Sequence, residues 1–89
     1  MTEENKSLIE FPTRFALKAM GKAVPEFQSA VLAAVQQYAP DTQASNITVR
    51  PSSQGNYVGA TIDVYVENQE QLDNIYRALT SHELVKVVF

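Results

Sequence analysis

The sequence predicts an α+β two-layer sandwich, with four strands and two helices in the order βαββαβ. Three observations carry this. Two runs, Arg14–Met20 and Tyr57–Val66, alternate their side chains with the period of a half-buried strand. Two others, Phe27 to Tyr38 and Leu72 to Leu79, repeat apolar residues at helical spacing. Between the second and third strands lies the polar turn Arg50-Pro51-Ser52-Ser53-Gln54-Gly55-Asn56-Tyr57, which closes a hairpin.

In the first strand Phe15, Leu17 and Ala19 point one way and Arg14, Lys18 and Met20 the other. Gly21 is expected to break it. Pro25 suits the first turn of a helix, where its missing N–H is no loss. Phe27, Ala30, Val31, Ala34, Val35 and Tyr38 form the apolar stripe of that helix, which Pro40 ends. Asp41 to Asn46 form a loop. Ile47 to Pro51 is a short strand, and Pro51, unable to donate to a ladder, places it at an edge. In the third strand Val58, Ala60, Ile62, Val64 and Val66 face the core, and Tyr57, Gly59, Thr61, Asp63 and Tyr65 face away. Asn68 with Gln71 three residues later marks a helix N-terminus. Leu72, Ile75, Tyr76 and Leu79 are its buried stripe. Leu84 to Phe89 is the last strand, with Val85, Val87 and Phe89 expected on one face.

Both helices need an apolar surface, and one face of the sheet offers it. Right-handed split crossovers then give an antiparallel sheet of order 4-1-3-2 with both helices on one side, the ferredoxin-like arrangement. Residues 1–7 read as a disordered lead, and 8–89 as a single ferredoxin-like domain.

Composition bounds the chemistry. A chain of 89 residues with 45% hydrophobic content supports one modest core. It has no cysteine, which excludes a disulfide framework, a thiol nucleophile and a thiolate metal site. The net charge of −3 provides no surplus for a polyanion-binding stripe. The longest apolar run, Ala30 to Val35, is far short of the roughly 20 residues of a membrane span. The polar N-terminus has no apolar signal core. A cytoplasmic protein with no cofactor and no metal is expected.

Three blocks carry a family resemblance: Glu10-Phe11-Pro12-Thr13, Lys18-Ala19-Met20-Gly21 and Pro51-Ser52-Ser53-Gln54-Gly55-Asn56-Tyr57. With their spacing, the chain from Leu8 to Phe89 resembles the YbeD-like family of small bacterial proteins. The resemblance implies a ferredoxin-like fold similar to the ACT-type regulatory domains of amino-acid metabolism. It implies no catalytic residue. It directs attention to Lys18, Gly21 and Ser52 to Tyr57.

Each candidate site has two readings. Ser52, Ser53 and Asn56, with Gly55 and Tyr57, could form a nest for an anion or small ligand. Alternatively they are turn chemistry, with Gly55 at positive φ and Ser and Asn bonding their own backbone. A Met20-Gly21-Lys22-Ala23 loop could admit a ligand at a helix N-terminus, or Gly21 could simply end a strand. The open sheet face should show Lys18, Met20, Thr48, Arg50, Thr61, Asp63, Tyr65 and Lys86, with Lys18 and Asp63 as a cross-strand pair. It either is solvated or meets a partner; it lacks the aromatic signature of an RNA-binding sheet. His82, the only histidine, reads as a surface-loop residue.

The functional expectation is a non-enzymatic binding or regulatory module that acts through protein–protein association, with a protein partner or a second copy. The alternatives are an ACT-like sensor of a small metabolite such as an amino acid, bound near Gly21 and Lys22, and a weak nucleic-acid binder. The apolar last strand, at a sheet edge, predicts weak dimerisation unless something covers it.

Overall fold

The alternation in the first and third strands builds the sheet. The computed structural model describes residues 10–52 and 55–89. In it β1 (Thr13–Lys22) and β3 (Tyr57–Val66) pair antiparallel along their whole length. On the inner face Phe15 stands opposite Val64, Leu17 opposite Ile62, Ala19 opposite Ala60 and Gly21 opposite Val58. β2 (Ile47–Pro51) pairs with the other side of β3, and β4 (Val85–Val88) with the other side of β1. The order β2-β3-β1-β4 is the predicted 4-1-3-2 arrangement read from the opposite edge. Pro51 lies in an edge strand, where its missing donor breaks no ladder. The expected lead 1–7, with Leu8, Ile9, Ser53 and Gln54, lies outside the described residues.

Helices α1 (Glu26–Gln36) and α2 (Gln69–Thr80) cover the inner face. Leu17, Ile62 and Val64 from the sheet, Phe27, Val31 and Val35 from α1, and Leu72, Ile75 and Leu79 from α2 are buried in one cluster. Burying such side chains stabilises by roughly 1.5–3 kcal/mol each relative to exposure. The start of α2 follows the predicted signature. Asn68 Oδ1 accepts the Gln71 N–H at 2.8 Å. Gln71 Oε1 accepts the Glu67 N–H at 2.7 Å, and its Nε2 donates to the Tyr38 carbonyl at 2.7 Å, tying α2 to the chain leaving α1.

Four features depart from the sequence reading. First, β1 does not stop at Gly21 but continues through Lys22, whose N–H donates to the Leu84 carbonyl at 3.0 Å. The residues read as a loop therefore belong largely to the strand. Second, α1 ends at Gln36, so Tyr38 leaves the stripe and stands 40% exposed. Third, Lys18 faces Thr61, while Asp63 faces Ala16 and pairs diagonally with Arg14 Nε at 3.1 Å.

The fourth departure concerns the last strand. Val85 stands opposite Gly21, but Val87 stands opposite Met20 and Val88 opposite Ala19. Lys86 is thus one extra residue, a β-bulge that reverses the phase from Val87 onward. Val85 is buried and Val88 packs against the core, whereas Val87 is 46% and Phe89 61% exposed. Strict alternation put Val85, Val87 and Phe89 on one face; the bulge divides them.

Substitutions at Ile62 and Thr61 test the register of the sheet, and substitutions at Asn68 test the start of α2. Ile62→Ala should lower unfolding free energy in urea by about 2–5 kcal/mol, since its site is closed on all sides. Thr61→Ala, on the opposite face, should cost under about 1 kcal/mol. Asn68→Ala should cost about 0.5–2 kcal/mol by removing the acceptor at the start of α2, and Asn68→Asp should restore most of it.

Candidate functional site

The sequence candidates fall into two places. At one end of the sheet Lys22 stands opposite Tyr57, so the end of β1 lies beside the hairpin turn. Lys18 is four residues back along β1, about 13 Å away at roughly 3.3 Å per residue.

The hairpin end is occupied by its own hydrogen bonds. The Ser52 N–H donates to the Tyr57 carbonyl at 2.9 Å, and Ser52 Oγ accepts the Tyr57 N–H at 3.3 Å. The Gly55 N–H donates to the Ser52 carbonyl at 3.1 Å, and Gly55 stands at φ 79°, a conformation glycine adopts without strain. Amides of Gly55 and Tyr57 that an anion nest would need are thereby used. Asn56 and Tyr57 are exposed, and Ser53 lies outside the described residues.

Gly21 answers to packing. A Cβ there would collide with the Leu84 carbonyl oxygen and lie 2.5 Å from Phe27 Cε1. Only a residue without a side chain lets the 82–85 segment and α1 close over the end of β1. The same segment is braced by His82, whose Nδ1 accepts the Leu84 N–H at 3.1 Å.

Lys18 belongs to a larger surface, the face of the sheet away from the helices. Two rows of outward residues cross all four strands. Thr48, Thr61 and Lys18 align with Phe89, which exchanges backbone hydrogen bonds with Lys18 at 2.7 and 3.0 Å. Next to them Arg50, Gly59, Met20 and Val87 align. The centre of these rows is a shallow open depression of about 580 Å³, with Lys18, Arg50, Thr48 and Thr61 as its polar lining and Met20 and Phe89 as its apolar lining. Alternation alone keeps Val87 and Phe89 on the face of Val85; the bulge, which leaves no mark on the sequence, brings them to this one.

Charge is divided between the layers. The four strands carry Arg14, Lys18, Lys22, Arg50 and Lys86 but one acid, Asp63. The helices carry Glu26, Glu70 and Asp73 against Arg77. An acidic chain thus has a basic sheet. The Arg14–Asp63 pair is about half exposed on both sides, and such pairs contribute under about 1 kcal/mol. This face can hold an anionic or mixed surface; its side chains form no paired nucleophile and base. Among the described residues no group of three or more His, Cys, Asp or Glu is placed to hold a metal ion. No helix among them is long and apolar enough to cross a membrane.

Residues 6–89 match the model of a family described as protein of unknown function, DUF493. A UPF0250 protein of Neisseria gonorrhoeae is 73% identical over 90 residues, covering 99% of both chains. A UPF0250 protein of Paraburkholderia phytofirmans is 50% identical over 88 residues, again 99% of both. One from Ralstonia nicotianae is 46% identical over 87 residues, 98% of this chain and 90% of the relative. These matches agree with the YbeD-like resemblance read from the sequence blocks, and none carries the name of an enzyme.

Gly21→Ala should destabilise the chain by about 1–3 kcal/mol or more in urea unfolding, because backbone must move to admit the methyl group. Gly59→Ala should stay within about 0.5 kcal/mol, since a Cβ there meets its nearest neighbour, the Arg50 carbonyl oxygen, at 3.9 Å. Equal losses at the two glycines would show that strand position, and not the Leu84 contact, sets the requirement at Gly21.

Proposed function

The chain belongs to the DUF493 family of small bacterial proteins, whose membership brings no reaction with it, and from that premise we propose that it is a non-enzymatic binding module acting through protein–protein association at the open face of its sheet. One observation carries this reading. Met20, Val87 and Phe89 are 37%, 46% and 61% exposed on a face that no helix covers, within reach of Lys18 and Arg50. Exposed apolar side chains grouped beside cations and hydroxyls suit an association surface.

Size supports a transient association. Strands ten residues long and about 4.8 Å apart give a face on the order of 500 Å² in projection. A standard interface buries about 800 Å² per partner. A cytoplasmic role fits the absence of cysteine from the sequence.

The β4 edge supports association less well. It is four residues long, is bulged and carries Lys86, all devices by which proteins blunt an edge against strand addition. Self-association through it has that to overcome. A metabolite sensor working at Gly21 has the buried Leu84 contact against it, which leaves no approach to the glycine backbone.

Affinity capture from extract of a bacterium carrying the gene tests the reading. Proteins retained by the native chain and by Arg77→Glu on α2 should be lost from Lys18→Glu/Arg50→Glu. Retention of the same proteins by both variants would move the interface elsewhere. Stabilisation of the native chain by an amino acid in a thermal-shift panel would favour the metabolite reading instead.

A further inference from the structure

The composition of the open face narrows the chemistry of what it binds. Arg14, Lys18, Lys22 and Arg50 all project from it, since they occupy the outward positions of β1 and β2. Asp63 is the only acid on these strands and is engaged by Arg14. At the central depression two cations and the hydroxyls of Thr48 and Thr61 adjoin Met20 and Phe89. Arg50, Thr48 and Thr61 stand on β2 and β3, while Lys18 stands beside Met20 and Phe89, so donors and apolar side chains adjoin and call for an occupant with acceptors and an apolar anchor together.

We propose that this face docks a short acidic segment of a partner protein, its carboxylates meeting Lys18 and Arg50 and one apolar side chain lying against Met20 and Phe89. The proposal rests on the association surface assigned above and adds the chemistry of the partner. Lys18 and Arg50 lie two strands and two residues apart, about 12 Å between backbones. An extended chain advances about 3.3–3.6 Å per residue, so acidic residues two or three positions apart, on flexible side chains, reach both.

The other occupants fit less well. A second copy docked face to face would oppose two faces on which Arg14, Lys18, Lys22 and Arg50 stand against the single acid Asp63, and juxtaposed like charges are costly. A single-stranded nucleic acid needs neighbouring aromatic platforms. Tyr57, Tyr65 and Phe89, the aromatics of this face, are spaced by four residues and two strands or more, about 16 Å between backbones at the nearest. The net charge of −3 also repels a long polyanion, while a short segment meets only the local basic field.

Amide chemical shifts of the full ¹⁵N-labelled chain provide the test, with a synthetic peptide repeating Leu-Glu-Glu as probe. Shifts should centre on Lys18, Met20, Thr48, Arg50, Thr61 and Phe89. Affinity should fall at least about tenfold as salt rises from low to several hundred millimolar, as screening requires. It should also fall at least tenfold in Lys18→Gln/Arg50→Gln and be unchanged in Arg77→Gln. Far-ultraviolet dichroism establishes that each variant is folded; if the double variant is not, each single variant replaces it. A peptide with lysine for glutamate should not bind. No shifts on this face at millimolar peptide, equal binding of the lysine peptide, or tighter binding of an oligouridylate would each overturn the proposal. Should the acidic peptide fail while charge reversal still strips partners in the capture experiment, the association surface stands and its acidic preference does not. Failure of both removes the surface as well.

Discussion

Everything in this domain hangs on the antiparallel pairing of β1 with β3. Ten residues of each strand are matched, from Thr13–Val66 to Lys22–Tyr57. With a side-chain period of two, a slip of one residue would turn Leu17 and Ile62 outward together. Both are fully buried where they stand. The two long strands provide the inner platform on which α1 and α2 close, and the outer edges on which β2 and β4 add. They also determine which cations share the open face, because inward and outward sets are fixed by the same register.

The end of β1 shows how one tight contact propagates. Gly21 lets the Leu84 carbonyl and the Phe27 ring close over the strand, and the Lys22 N–H bonds to that carbonyl. His82 satisfies the Leu84 N–H. The chain enters β4 from this anchored segment with Val85 inward, then places Lys86 in a bulge and continues with Val87 and Phe89 outward. Packing at a buried glycine and the apolar content of the exposed face thus lie on one short stretch of chain.

Electrostatics separate along the same layers. Cations on the strands and acids on the helices make a molecule whose sheet is basic although the chain carries −3. A sum over residues carries no direction, so net charge could not report this. The field near a surface depends on the nearest groups within a Debye length, about 8–10 Å at ordinary salt. For a ligand small enough to sit on the sheet, Lys18 and Arg50 outweigh carboxylates in the opposite layer.

The sequence by itself determined the element order, the sheet order and most of the core. Period two in Tyr57–Val66, the helical stripe at Leu72, Ile75 and Leu79, the cap at Asn68 and the proline at an edge are local signals, each readable without knowing its neighbours in space. The family blocks were legible for the same reason, being contiguous. The tertiary structure alone decided the rest. Gly21 looked like a strand end because a glycine shows only what it lacks; that it makes room for Leu84 is a fact about two segments more than sixty residues apart. The bulge at Lys86 arises where β4 must fit both the Leu84 anchor and the β1 ladder, and no alternation in Val85-Lys86-Val87-Val88 announces it. The open face, with Phe89 and Met20 beside Lys18 and Arg50, takes side chains from four strands, and only their register brings them together.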